Sequence, residues 1–138
     1  MDSFGCSEAS ARGPELGYSG GVPQTLTPRA RERVAERFRA LGEPNRLRIL
    51  ERLFRSPASV SEILSEVGGT QGNVSKHLRV LLSGGLVRRR REGLQAVYSI
   101  ADPDLERLCA LVCNAVVREA REDAAALAAP PRARRRSG

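Results

Sequence analysis

Three cysteines, one histidine and a run of four arginines are the residues of this 138-residue sequence best suited to chemistry. Cys109 and Cys113 stand four apart in a stretch of helical periodicity, which puts their Cβ atoms about 5 to 6 Å apart on one face. A relaxed disulfide needs about 3.8 Å, so the pair is too wide to bridge, yet two thiolates at that spacing can share one soft ion. Cys6, near the N-terminus, could add a third sulfur from its own chain or a second copy. Three thiolates suit As(III) or Sb(III); with a further ligand they suit a soft divalent metal such as cadmium, lead or zinc. The same thiols fit two other roles, a redox switch that is oxidised or modified, and plain packing in a stripe that is apolar anyway. His77 lies beside Leu78 at the edge of an apolar stripe and reads as structural, with no thiol on its element to pair with. No phosphate-cradling glycine loop, zinc-knuckle spacing or serine elbow occurs, so enzyme activity is not expected.

A second kind of chemistry, recognition of a polyanion, is written between Thr70 and Ile100. Val74, Leu78 and Leu81 recur at helical spacing and must face a core, which turns Gln71, Gly72, Ser75, Lys76 and Arg79 outward. That face is polar, cationic and low in bulk, as the major groove of a duplex requires. Gln71, Asn73, Ser75 and Lys76 are the candidates for base edges and adjacent phosphates, and Arg79 for a phosphate. Gly84-Gly85 ends the helix. Val87 to Glu92 and Ala96 to Ile100 then read as strands about a Glu92-Gly93-Leu94-Gln95 turn, a basic ribbon. Alternation lets only one pair of its arginines, Arg89 with Arg91 or Arg88 with Arg90, face DNA; Arg89 and Arg91 are the candidates for phosphates, with Gln95 in the turn beside them.

Other segments must hold this device in place. Thr27-Pro28 opens a first helix with an apolar stripe of Val34, Phe38 and Leu41; its many charges are expected to form a solvated face with some i,i+4 pairing. Pro44 starts a second helix, whose Leu47, Ile49, Leu50, Leu53 and Phe54 supply core. Ser59-Val60-Ser61-Glu62 has the form of a capping box opening a short third helix. Gly68-Gly69 turns it into the recognition helix, completing a helix-turn-helix. Asp102-Pro103 begins a last helix to about Leu127, with Leu105, Leu108, Cys109, Val112, Cys113 and Val116 in a broad stripe. So much apolar surface on a terminal helix calls for a second copy of the chain.

The two blocks Leu41 to Leu53, LGEPNRLRILERL, and Asn73 to Ile100, NVSKHLRVLLSGGLVRRRREGLQAVYSI, resemble the second helix and the recognition helix with wing of the arsenical-resistance-repressor family, ArsR/SmtB. The resemblance covers roughly residues 30 to 120. It implies a homodimer through the first and last helices, with two recognition helices about one DNA turn apart. It also implies a thiol pair on the third helix, but that position, around Glu62 to Glu66, holds Ile63, Leu64 and Ser65 here. Nor does the last helix carry a histidine, or the second helix a cysteine.

The expected fold is therefore mainly α with a small β-hairpin, a winged helix-turn-helix in the order α-α-α-α-β-β-α. Residues 1–27 read as a disordered N-terminal arm, 28–128 as the DNA-binding and dimerisation domain, and 129–138 as a basic C-terminal tail. Net charge is +7, and since the first 27 residues hold one arginine against three acids, the domain is basic apart from its tail. Double-stranded operator DNA is the expected partner. With three Phe, two Tyr and no Trp, stacking on single strands is disfavoured. No basic-then-apolar leader and no apolar run near eighteen residues occurs, so no membrane partner is expected, and the setting is expected to be cytoplasmic with reduced thiols.

Overall fold

A computed structural model describes residue 21 and residues 25–128. Cys6, nearly all of the proposed arm and the tail from 129 lie outside the described residues. Five helices and three strands follow in the order α1 (Pro28–Leu41), α2 (Pro44–Arg55), β1 (Ala58–Ser59), α3 (Val60–Val67), α4 (Gln71–Ser83), β2 (Val87–Glu92), β3 (Gln95–Ile100) and α5 (Asp104–Ala128).

Each helix start is fixed by a local acceptor for the N–H groups that the first turn leaves open. Thr27 Oγ1 accepts from Ala30 N at 3.2 Å, with Pro28 as the first helical residue. Ser59 and Glu62 form the reciprocal capping box at 3.3 and 3.1 Å. At α5, Asp102 Oδ1 accepts from Asp104 N at 2.9 Å. The start of α2 works differently, because Glu43, just before Pro44, supplies the cap through Arg46 N at 2.8 Å.

The sheet is larger than the expected hairpin. β1 pairs antiparallel with β3, Ala58 opposite Tyr98 and Ser59 opposite Val97, giving the order β1-β3-β2. A two-residue strand has no alternation to betray it, and its partner lies almost forty residues downstream, so only the fold discloses it. β3 also begins at Gln95, opposite Glu92, one residue earlier than expected. The loop is thereby reduced to Gly93-Leu94, and Gly93 at φ 63° meets the left-handed requirement of the first loop position.

Ile49, Leu50 and Leu53 of α2, Ile63 of α3 and Val74, Leu78 and Leu81 of α4 converge in the core, closed by Val87, Tyr98, Leu105 and Cys109. Each such aliphatic side chain contributes about 1.5 to 3 kcal/mol by leaving water. Of the α1 stripe, Leu41 packs against this core while Val34 and Phe38 stay exposed. Only Ala40 of α1 is buried, whereas Phe38 is 58% exposed. Leu111 and Val112 of α5 are likewise 71% and 59% exposed. Among the described residues no helix is long and apolar enough to cross a membrane.

Candidate nucleic-acid interface

The geometry of α3 and α4 is set from below by α2. Arg52 Nε donates to Glu66 Oε1 at 2.6 Å, and Arg55 reaches the other oxygen of the same carboxylate. Arg52 also caps its own helix by donating to Ser56 O at 3.0 Å. Desolvation pushes the Glu66 carboxyl up, but hydrogen bonds from Arg55 and Arg52 outweigh it and hold it below the ordinary range. Two glycines at φ 78° and 87°, Gly68 and Gly69, then make the corner into α4. Thr70 Oγ1 accepts from Asn73 N at 3.2 Å and starts the recognition helix.

Gln71, Asn73, Lys76 and Arg79 are exposed, while Ser75 is half-buried. At about 100° per residue, Gly72, Lys76, Arg79 and Ser83 form one continuous row along the exposed side. Gln71 sits well round from that row, so its reach comes from being the first residue of the helix. Ser83 was not anticipated; its signal is the seven-residue step from Lys76, which is two turns along the same row.

His77 is half-buried, with Nδ1 3.7 Å from Glu43 Oε2 and without a hydrogen-bond partner among the described residues, so it packs beside the corner before α2. Partial burial pushes the Glu43 carboxyl upward. The N–H groups of Arg46 and Asn45, with His77 and the Arg46 charge nearby, more than reverse that and bring it below the ordinary value. The structural role expected of the histidine agrees with this placement.

In the wing, Arg88, Arg89, Arg90 and Arg91 are all exposed. The register places Val87, Arg89 and Arg91 on one face with Ile100, Tyr98 and Ala96, and Arg88 and Arg90 on the other. Arg90 is ion-paired with Glu92. Arg89 and Arg91 have no such carboxylate among the described residues. Gln95 is exposed beside the tip, and Leu94 at the tip is fully exposed.

The thiols lie far from this face in character. Cys109 is 9% exposed and belongs to the core, and Cys113 is half-buried. Burial first, and then the Glu106 charge, push the Cys109 thiol above its ordinary value, so it is protonated at neutral pH. Among the described residues no group of three metal-ligating side chains exists. Two thiols on one helix do not by themselves fit a three-thiolate metalloid or a tetrahedral metal.

Comparison with known proteins bears on the same face. A helix-turn-helix domain model matches residues 41–90. The Mycobacterium tuberculosis regulator Rv0081 is 44% identical over 85 residues, which span 61% of this chain and 75% of the relative. Its crystal structure superposes with a TM-score of 0.64 at 38% identity, covering 72% of this chain and 99% of that one. A homodimeric winged helix-turn-helix DNA-binding domain from Mycobacterium bovis, whose description names the ArsR family, gives 0.61 at 36% identity over 73% and 95% of the two chains. The chain belongs to the ArsR/SmtB family. As an ArsR/SmtB protein it is a DNA-binding transcriptional regulator and not an enzyme, and the matched residues 41–90 run from the end of α1 into β2. A further relative, 37% identical over 56% of this chain and 62% of its own length, is a Streptomyces lividans protein whose name refers to repression of a mercury resistance operon.

Proposed function

We propose that this ArsR/SmtB chain is a homodimeric repressor that grips a palindromic duplex operator with two recognition helices and two wings. The observation that carries it is the pairing of two exposed surfaces of opposite kind. One is the polar row of α4 beside the uncompensated Arg89 and Arg91; the other is the uncovered apolar surface of Val34 and Phe38 on α1 and of Leu111, Val112 and Val116 on α5. A second copy covers the latter and repeats the former one helical turn away. Gln71, Asn73, Ser75 and Lys76 meet base edges and adjoining phosphates, Arg79, Arg89 and Arg91 meet phosphates, and Gln95 the groove beside the wing tip. Residues 28–128 form the working unit in a cytoplasmic setting, flanked by the arm 1–27 and the tail 129–138.

The test is selection of duplexes by the full chain from a random DNA pool. The expected product is an inverted repeat with half-site centres about 10 base pairs apart. Recovery of no enriched duplex would point instead to a protein-interaction role and end the reading.

The finer proposal concerns release by a thiophilic metal or metalloid. It is supported by the Cys109 and Cys113 spacing and by the mercury-linked name of one relative. The described residues supply only two thiols, so completion of a site would fall to Cys6 or to the second copy. Anaerobic titration with arsenite, antimonite, cadmium and zinc, followed by thiolate charge-transfer absorbance and operator release, decides between coordination, oxidation of the thiols and packing alone.

A further inference from the structure

A groove of about 470 Å³ runs between the C-terminal half of α1 and the C-terminal half of α4, lined chiefly by Glu36, Arg39, Arg46, Arg79, Ser83 and Gly84. Its backbone walls are close. A Cβ on Gly84 would stand 3.4 Å from the Ala40 Cβ, so the absence of a side chain there keeps α1 against the end of α4.

Arg46 is fixed in place before any ligand arrives. Its Nε donates to Ala40 O at 2.6 Å and its Nη2 to Arg39 O at 3.1 Å, the latter carbonyl also accepting from Gly42 N, so Arg46 closes the end of α1. A guanidinium has five N–H donors, so three remain for the groove. Arg39 and Arg79 flank it from α1 and α4. Among the described residues no carboxylate, Glu36 included, stands within ion-pairing distance of any of these three guanidinium groups. The i,i+4 pairing expected along α1 is likewise not formed among the described residues. Three arginines thus meet around a groove in which none of them is ion-paired among the described residues, with the Ser83 hydroxyl, the Glu36 carboxylate and the apolar Ala40 and Val80 completing the lining.

We propose that this groove is a binding site for a phosphate-class anion, walled by Arg39, Arg46 and Arg79. Guanidinium groups in a fork geometry are matched to phosphate oxygens, and one that is already immobilised loses less freedom on binding. Arg79 belongs to the exposed row of α4, so the groove continues the surface assigned to the duplex. A backbone phosphate of bound DNA is one source of the anion, and this source rests on the DNA-binding role proposed above. A free phosphorylated small molecule is the other.

Two measurements on the full chain separate the sources. The first is the salt dependence of binding to a pool-selected duplex, followed by fluorescence anisotropy. Each phosphate contact contributes about 0.9 to the slope of log K against log salt. Arg39→Gln should reduce that slope by about 0.9 per protomer, whereas Arg33→Gln, on α1 but outside the groove, should leave it unchanged. The second is titration of pyrophosphate into the DNA-free protein, watching the arginine Nε–Hε signals by NMR. Perturbation of the Arg39 and Arg46 signals that disappears in Arg79→Gln assigns a free phosphate ester. A reduced slope with no pyrophosphate response assigns the DNA backbone. Thermal melting of all three variants should match the parent, since Arg33, Arg39 and Arg79 are exposed. An unchanged slope together with silent arginine signals overturns the site. Should the parent chain bind no duplex at all, the DNA role fails, and the pyrophosphate titration alone decides the groove.

Discussion

Two regions of this chain's regular structure expose side chains that water treats in opposite ways. On α4 and the wing the exposed residues include Lys76, Arg79, Ser83 and a set of arginines, well hydrated alone and able to meet phosphate or base edges, with the apolar Leu94 at the wing tip. On α1 and α5 they include, among many charges, Phe38, Leu111, Val112 and Val116, which gain nothing from water. Neither surface is a defect of packing, because the core between them is closed by Ile49, Leu50, Ile63, Leu78 and Leu81, all fully buried. The contrast teaches that the protomer is built for two different partners, and that the apolar contact sets where the cationic one is presented.

The sharpest way to break that comparison is to make the apolar surface resemble the polar one. Val112→Glu places a carboxylate where a second copy should sit, and burying it unpaired is prohibitive. Sedimentation should then show a monomer, and affinity for a selected palindrome should fall by at least 100-fold while the helical content stays the same. Lys76→Ala strips the centre of the polar row and should weaken the same duplex at least tenfold in low salt with the dimer intact. Within the wing the comparison is finer. Arg89→Gln should lower affinity about threefold and reduce the salt slope by about 0.9 per protomer, whereas Arg90→Gln, already paired with Glu92, should do less. The smallest effect concerns the support beneath. The Glu66 carboxyl is held below its ordinary value in the folded chain, so its contribution to stability is present at neutral pH. That contribution should fade as pH falls below about 4.5 and through the folded value. Glu66→Gln should lower the melting temperature slightly at pH 7, by an amount that shrinks steadily as pH falls below about 4.5.

What could be read from the sequence was mostly local. Thr27, the Ser59 and Glu62 pair, and Thr70 act on N–H groups two or three residues away, so their patterns carry their function. Glu43 is equally local but escaped notice, because it precedes a proline and its type favours the helix interior over the cap. The periodicity of α4 revealed which side faces the core, and the register of β2 and β3 agrees with alternation along the arginine run. Long-range facts were not legible. Nothing in Ala58-Ser59 announces a strand, and nothing in the charges of α1 shows that Arg39 meets Arg46 and Arg79 around one groove instead of pairing along its own helix. The stripe on α1 was legible as apolar, yet which body it faces is a property of assembly. Among the thiols, spacing was plain, but the burial of Cys109 depended on where α5 crosses the core.

The short strand β1 joins Ala58 and Ser59 to β3, and Ser59 is also the cap of α3. The hairpin that carries the arginines is therefore fastened by two residue pairs to the start of α3, and it is joined to the end of α4 through Gly84-Gly85. Swinging the wing away from α4 would have to break that two-residue ladder. A signal that left the ladder intact would have to act on the distance or angle between two copies of the chain.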